Sequence, residues 1–406
     1  MPDLDRLLDE VRPYVEHTLL GRSPNALHLA TVRVQITAAS SVRGSVRGTV
    51  DAAGIGIDEM TARVRCCSEL MERLVGSSPK VLADQCQDRP EPGSVVVPWQ
   101  HLTPHGPGLL AELEEGLDQQ RMRWCRGTGL SSGRTYAVPA SKVFPAWSVF
   151  IDGAGDDGEC DASGLAAGDL NDMDRCRQHA LCEVLERDAS ILAWRLPSWS
   201  VAKIHEEHVG DLIAGFARDN GLHLAFYDIG DVHIAPVVLC LVSDPAGRLA
   251  CGTACAVSTE AAAQRASLEA VSLWNGLCKQ PAGTLPPLGV RSSLDHVRWA
   301  SANADTVLAW FQALPTRGPS DTVGGLEELV ERCRQRFWGA EPVVIDLAVP
   351  SDRAAGAQPT GYACRVIQPY AMRKEWAADR PFTGGPRINA LGSDPSRFNL
   401  LPHPFG

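Results

Sequence analysis

An α+β architecture with internal duplication is predicted by three observations. Helical and extended periodicities interleave along the chain without the regular alternation of a doubly wound sheet. Apolar residues fill 44% of the 406 positions, enough for a large mixed core. One pattern is also written twice: RCCSELMER, Arg65 to Arg73, and HALCEVLER, His179 to Arg187, each contain Glu, two residues, Glu, Arg. Each copy follows what reads as a glycine-bearing turn, GIGI before the first and GLAAG before the second.

The elements come in chain order. Leu4, Leu7, Leu8, Val11 and Val15 recur at three-and-four spacing, predicting a helix over residues 1 to 22. HLATVRVQITAA alternates as a strand does. Asp58 to Val75 has helical periodicity, and Gly76-Ser-Ser-Pro79 ends it. DRPEPGSVVVPW is broken by proline and reads as loop. RMRWCRGTGLSSGRTYAVPASKVF predicts a strand pair with its turn at the glycines and serines. A helix over residues 171 to 196, strands at HLAFYDIG and APVVLCLVS, and a third helix from Ser258 to about Gln280 come next. Strands PVVIDLA and ACRVIQP precede a proline-rich tail. Residues 1–50 are expected to supply a helix and a strand that lead into a single core domain, 51–406.

Charge and cysteine usage exclude several function classes. A formal charge of -11 with no basic run argues against a phosphate-backbone binder, so no nucleic-acid partner is expected. No apolar run approaches the roughly 20 residues that span a bilayer, so no membrane association is expected. Thirteen cysteines, an odd number diluted over a long chain without a secretory leader, are expected as reduced thiols of a cytoplasmic protein.

Two short motifs carry little. Gly129-Leu-Ser-Ser-Gly133 satisfies G-x-S-x-G, but a nucleophile elbow needs a helix after the serine, and Arg-Thr-Tyr-Ala-Val favours a strand. The overlapping Gly127-Thr-Gly129 lacks the Gly-Lys-Ser/Thr of a phosphate loop. Cys251, Cys255 and His403 lack the second close pair of a structural zinc site.

The repeated carboxylates carry more. Residues three and four apart share a helix face, so His179, Glu183, Glu186 and Arg187 project together while Leu181, Val184 and Leu185 turn to a core. Arg65, Glu69, Glu72 and Arg73 repeat the layout, with Cys67, Leu70, Met71 and Leu74 opposite. One such face alone is the ordinary solvated side of an amphipathic helix; two with the same geometry suit Mg²⁺ held by carboxylates and phosphate oxygens met by arginines. AAAQRASLEAVSLW offers a weaker third version, with Arg265 and Glu269 four apart near Gln264 and Glu260.

These residues resemble the YcaO superfamily. The resemblance rests on GIGIDEMTARVRCCSELMERL, YAVPASKVF, SGLAAG followed by CRQHALCEVLERDASILAW, QRASLEA, CRVIQPYAMRKEW, PFTGGPRI and NLLPHPFG, in order from about residue 54 to the C-terminus. It implies a YcaO-like α+β fold of mixed sheets, packed helices and internal pseudo-symmetry, with 51–406 as an ATP-binding catalytic domain ending in a proline-rich tail. It also implies ATP-dependent activation of a peptide backbone amide. A following Cys, Ser or Thr would give a thiazoline or oxazoline, external sulfide a thioamide, and an amine an amidine. Carried over by position, Glu69, Glu72, Glu183 and Glu186 would hold Mg²⁺ and phosphates, with Arg73, Arg187, Arg265 and Glu269 at matching positions of the nucleotide site.

Where this chain has Arg65, Gly54-Ile55-Gly56 and Ser272, the family commonly has a serine, Gly-Lys-Gly and a glutamine. The ending points to the azoline-forming branch, in which Pro402, His403, Pro404, Phe405 and Gly406 would form a catalytic tail and His403, near an ordinary pKa of about 6.5, would move a proton. Only about 50 residues precede the first motif, so a separate ThiF-like protein is expected to recognise the leader of a ribosomal precursor peptide. Homodimerisation stays open, and a non-catalytic peptide-binding scaffold is the alternative of another class.

Overall fold

The structure, a computed structural model, describes residues 15–21, 25–40, 44–76, 85–102, 122–144, 160–161, 164–168, 172–205, 210–279, 290, 292–348, 362–375, 383–392 and 394–405. Three sheets, each with a helix across one face, form its frame. In the first, β1 (Val15–Leu20), β2 (Leu27–Ser40) and β3 (Gly44–Gly56) make an antiparallel meander. Helix α1 (Glu59–Gly76) lies on β2 and β3. It starts where Asp58 Oδ1 accepts the Thr61 N–H at 2.7 Å, a side-chain cap of the first turn. Ala30, Val32, Val50 and Ala52 of the strands meet Ala62, Cys66 and Leu70 of the helix.

The second sheet is built from β4 (Cys86–Gln87), β5 (Val95–Val96), β6 (Trp124–Gly129), β7 (Thr135–Pro139), β9 (Gly164–Gly168), β14 (Val343–Ala348) and β15 (Tyr362–Ile367). Its order is β5-β7-β6-β14-β15-β9, with β4 beside β6. Helix α2 (Met173–Arg195) covers β9 and β15; Leu181, Val184 and Leu185 enter the largest core cluster, as their spacing predicts. A two-residue pair, β8 (Cys160–Asp161) with β16 (Lys374–Glu375), lies apart from the large sheets.

The third sheet, β10 (Ala202–Ile204), β11 (His223–Asp228), β12 (Val237–Ser243) and β13 (Leu249–Cys255), is antiparallel throughout. Helix α3 (Asp211–Asp219) packs on β11, and α4 (Thr259–Cys278) covers β12 and β13. Helices α5 (Ser293–Ala302), α6 (Ala304–Ala313) and α7 (Leu326–Arg336) complete the frame.

The internal symmetry goes beyond the two copies expected. β3–α1, β9–α2 and β13–α4 are three versions of one strand–helix unit. In each, a strand glycine lies against helix main chain: a Cβ at Gly54 would strike Cys66, one at Gly164 would strike Ala180, and one at Gly252 would strike Ala266. These three helix residues stand three positions before Glu69, Glu183 and Glu269 respectively. The units also close on themselves, since α1 packs on β9, α2 on β13 and α4 on β3.

Three expectations are corrected. Gly54-Ile55-Gly56 of GIGI and the whole of GLAAG, expected as turns, lie in strands β3 and β9, held there by pairing with β2 and β15. Residues 15–20, expected within a helix, form β1: Val15 lies opposite Val32 and Leu20 opposite Leu27, and pairing with β2 overrides the helical spacing, which rested mostly on residues outside those described. Strand β13 was not expected, because the small residues of LACGTAC give weak strand propensity; it exists through pairing along its whole length with β12.

Candidate functional site

Each unit turns one glutamate back to its own strand. Glu69 Oε2 accepts the Ala53 N–H at 2.9 Å, Glu183 Oε2 accepts that of Leu165 at 2.6 Å, and Glu269 Oε2 accepts that of Thr253 at 2.7 Å. The second glutamate, three residues on, reaches the strand of the next unit. Glu72 Oε1 accepts the Ala167 N–H on β9 at 3.3 Å, and Glu186 Oε1 accepts the Thr253 hydroxyl on β13 at 2.7 Å. The third helix has Ser272 at that position, so the ring contains five carboxylates, all partly open to solvent. Glu69 and Glu183 give their other oxygen to Arg73 (2.5 Å) and Arg187 (2.6 Å) one turn on. Glu72, Glu186 and Glu269 each keep an oxygen with no hydrogen-bond donor among the described residues.

These carboxylates repel one another. Burial and the charges of Glu183 and Glu69 push the Glu72 carboxyl well above the usual range. Burial also raises Glu186, against the pull of Lys374. Burial and Glu186 push Glu269 up to about 8. The site is therefore short of positive charge, which a divalent cation supplies. Among the described residues no three Asp, Glu, His or Cys side chains converge on one point. That suits Mg²⁺, which takes one or two carboxylates and completes its octahedron with phosphate oxygens and water.

Two arginines and a histidine share the helix faces of the ring glutamates. Four residues before each strand-anchored glutamate stand Arg65, His179 and Arg265, on the same helix faces. They sense one another: Arg265 depresses both Arg65 and His179, in each case after burial as the larger cause. All three keep exposed surface, although protein surrounds Arg65 and His179 on most sides. Arg65 donates to the Ile55 carbonyl at 2.8 Å, while His179 and Arg265 have no carboxylate within ion-pairing distance among the described residues. Arg65 and Arg265, two like charges near one another, suit an anion with several oxygens, beside a His179 whose imidazole is held below its ordinary pKa.

The sequence pattern places Arg65 and His179 on the glutamate faces without giving them a role, and it gives no sign of Thr253, Arg365 and Lys374. Arg365, buried on β15, pulls on Glu72. Lys374, buried on β16, pulls on both Glu186 and Glu269. No local spacing could reveal either, because each meets the ring from a different sheet.

The tail returns to the far end of α2. Arg195 Nη1 donates to the carbonyls of Asn399 (2.5 Å) and Leu401 (2.8 Å), and Trp194 Nε1 also donates to Leu401 (3.0 Å). Pro402 and Pro404 flank His403, whose ring lies 3.7 Å from that of His296 at an interplanar angle of 7°. The His296 Nδ1–H donates to the His403 carbonyl at 2.7 Å. Phe405 is buried against Phe311; Gly406 lies outside the described residues. Instead of crossing the surface, Pro404 and its neighbours His403 and Phe405 are packed in the interior. The imidazole also departs from the ordinary pKa expected of it: burial, then His296, Arg195 and Lys374, hold it well below 6.5, so it is neutral.

The remaining motifs have structural explanations. Ser131 and Ser132 of G-x-S-x-G sit in the β6–β7 hairpin turn, where Glu341 Oε2 accepts both main-chain N–H groups at 2.9 and 2.8 Å. Cys251 and Cys255 are buried thiols whose pKa burial raises, with the Cys182 hydrogen bond the larger cause at Cys255. Described cysteines are all free thiols. No helix among the described residues is long and apolar enough to cross a membrane.

Comparison with known proteins gives this geometry a family. No curated protein matches the chain. Among solved structures, a heterocyclase in complex with substrate and cofactor superposes with a TM-score of 0.68 at 17% identity. The match covers 98% of this chain and 57% of that one, so the chain spans little more than half the heterocyclase. YcaO from Methanopyrus kandleri, bound with AMPPCP and Mg²⁺, has a TM-score of 0.55 at 20% identity, over 91% of both chains. A chain of the E. coli microcin synthetase McbBCD complex has a TM-score of 0.63 at 13% identity, over 96% of both. At these identities the likeness is one of fold. The family model described as YcaO cyclodehydratase, ATP- and Mg²⁺-binding, matches residues 53–371, a span containing all five ring carboxylates; the chain belongs to the YcaO family.

Proposed function

We propose that the chain is an ATP-dependent cyclodehydratase that activates backbone amides of a ribosomal precursor peptide and closes a thiazoline or oxazoline from Cys, Ser or Thr. The observation that carries this reading is the grouping of Glu69, Glu72, Glu183, Glu186 and Glu269, three of which keep an oxygen with no hydrogen-bond donor among the described residues. Buried and mutually repelling carboxylates destabilise a fold, so a scaffold that only held peptide would gain nothing from them.

Glu72, Glu186 and Glu269 would each offer that oxygen, one or two of them to any one Mg²⁺, with Glu69 and Glu183 able to turn from their arginines to take part. Arg265, with Arg73 and Arg187 once released, would hold phosphate oxygens. Bound ATP supplies the phosphoryl group that makes an amide oxygen a leaving group. The chain supplies placement and charge neutralisation, which do most of the work in phosphoryl transfer. Pro402, His403, Pro404, Phe405 and Gly406 would bring the chain terminus to the peptide, with His403 neutral and fixed.

A separate leader-recognising protein would present the peptide, and free thiols fit a cytoplasmic setting. The test is mass spectrometry of a candidate precursor after incubation with Mg²⁺·ATP. Loss of the mass of one water per event supports cyclodehydration. Exchange of oxygen for sulfur would instead assign thioamide formation, and ATP-dependent loss of water through joining to an amine would assign amidine formation. An unchanged peptide and no ATP turnover would favour the scaffold.

A further inference from the structure

Two of the chain's cysteines lie face to face on neighbouring strands of the second sheet. β4 runs antiparallel to β6 with Cys86 directly opposite Cys125, and their Sγ atoms are 3.6 Å apart. Residues so paired have Cα atoms about 4.5–5.5 Å apart, inside the roughly 4.4–6.8 Å that a disulfide spans. The two strands therefore already stand at a disulfide's spacing. Side-chain rotation has only to bring the sulfurs from 3.6 Å to about 2 Å.

The pair sits in an apolar core together with Val138 of β7 and Val75 from the last turn of α1. β4 borders the start of β6, at Trp124 and Cys125, whereas β14 borders its end, at Thr128 and Gly129. Since β4 is only two residues long, a covalent bond would add a fastening that so short a ladder lacks. The two thiols are not equally open to attack. Cys86 keeps 8% of its surface exposed and Cys125 1%, so a small oxidant meets Cys86 first. The hydrogen bond to Cys86, then burial, holds the Cys125 thiol well above its ordinary range, which keeps Cys125 protonated until a partner sulfur is in place.

We propose that Cys86 and Cys125 are a site of oxidative modification, at which a peroxide converts the thiol pair into a disulfide that fastens β4 to β6 within the native sheet. The Cys86 thiol gives its proton to solvent and its sulfur attacks one oxygen of hydrogen peroxide. The O–O bond breaks, and its electron pair leaves with the second oxygen, which takes up a proton and departs as water. Cys86 is then a sulfenic acid. The Cys125 sulfur attacks the Cys86 sulfur, the S–O bond breaks, and hydroxide leaves with the Cys125 proton as a second water. Two thiols are oxidised to one disulfide and one peroxide is reduced to two waters. The partner sulfur 3.6 Å away intercepts the sulfenic acid before further, irreversible oxidation.

The test treats the folded wild-type chain with excess hydrogen peroxide, removes the peroxide with catalase, alkylates the remaining thiols in denaturant and maps the peptides by mass spectrometry without reduction. A peptide pair joined through Cys86 and Cys125, two hydrogens lighter than the separate peptides and parted by dithiothreitol, should form before any other cysteine is linked. The oxidised chain should melt no lower than the reduced one, because the bond forms at the native spacing and constrains the unfolded chain. In Cys125→Ala, dimedone should trap Cys86 as a sulfenic acid, for want of a resolving thiol. The mapping and melting measurements need no variant, so they decide the matter even where Cys125→Ala does not fold. Both thiols still alkylatable at the end of the treatment, either one joined to a third cysteine, or Cys182 joined to Cys255 first would overturn the assignment. So would an oxidised chain that melts below the reduced one, since the disulfide would then require distortion of the sheet.

Discussion

At the scale of single residues, the ring predicts that its members are not interchangeable. Glu183 anchors the Leu165 N–H and pairs with Arg187, so removing its side chain leaves a partly buried donor unpaired at a cost of about 1–3 kcal/mol. Among the described residues, Glu186 accepts a hydrogen bond from the Thr253 hydroxyl alone. Glu186→Gln should therefore lower Mg²⁺·nucleotide affinity at least tenfold in calorimetry while leaving Tm unchanged or raised, because it removes repulsion from Glu183. Glu183→Ala should lose both affinity and stability. Glu269 makes a pH prediction. Its folded pKa of about 8 lies above the ordinary 4.5, so its contribution to stability is complete below about 4.5 and is lost as pH rises through about 8. Tm of the nucleotide-free protein should fall over that window, Glu269→Gln should flatten the fall, and Mg²⁺·nucleotide should stabilise more at pH 8.5 than at pH 6. These glutamates were legible from spacing alone, because a helix places positions three and four apart on one face whatever surrounds it. Thr253 and Lys374 were not, since their partners come from other elements.

At the scale of elements, function depends on how closely each strand approaches its helix. Gly164, Gly252 and Gly54 sit where a Cβ would strike helix main chain, which cannot swing aside as a side chain could. Gly164→Ala should push α2 from β9 and lengthen the Glu183–Leu165 hydrogen bond, destabilising the protein by about 1–3 kcal/mol and weakening Mg²⁺·nucleotide binding. Gly133→Ala is the control: its turn position is open to solvent, with positive φ but no neighbour within reach of a Cβ, so it should cost stability without altering nucleotide affinity. Unchanged affinity in Gly164→Ala would mean that the carboxylate ring tolerates a shifted helix. The sequence showed α1, α2 and α4 as long runs without proline, although the apolar residues of α2 are not confined to one face. It hid β13, whose small residues are held by cross-strand pairing and by the close approach of α4. It misassigned the residues of β1, where six positions of strand pairing outweigh local spacing.

Across the whole molecule, α2 links the ring to the tail: Glu183 and Glu186 lie near its middle, and Trp194 and Arg195 at its end hold the main chain of Asn399 and Leu401. The tail's proline spacing gave no sign of its packing, because the surfaces that receive it, His296 on α5 and Phe311 on α6, are distant in sequence. This packing separates two experiments that the sequence alone would treat as equivalent. Deleting Pro402 to Gly406 removes the buried His403 and Phe405 together. Burial of a phenylalanine side chain alone contributes about 1.5–3 kcal/mol, so the truncated protein should melt earlier as well as lose heterocycle formation. A C-terminal tag leaves both rings in place and alters only the chain beyond Phe405. If the chain terminus acts on the peptide, the tagged protein should retain Tm and Mg²⁺·nucleotide affinity while forming at least tenfold fewer heterocycles, as read by mass spectrometry of the precursor. Full modification by the tagged protein would reduce the tail to a packing element. Activity would then have to be sought at the carboxylate ring.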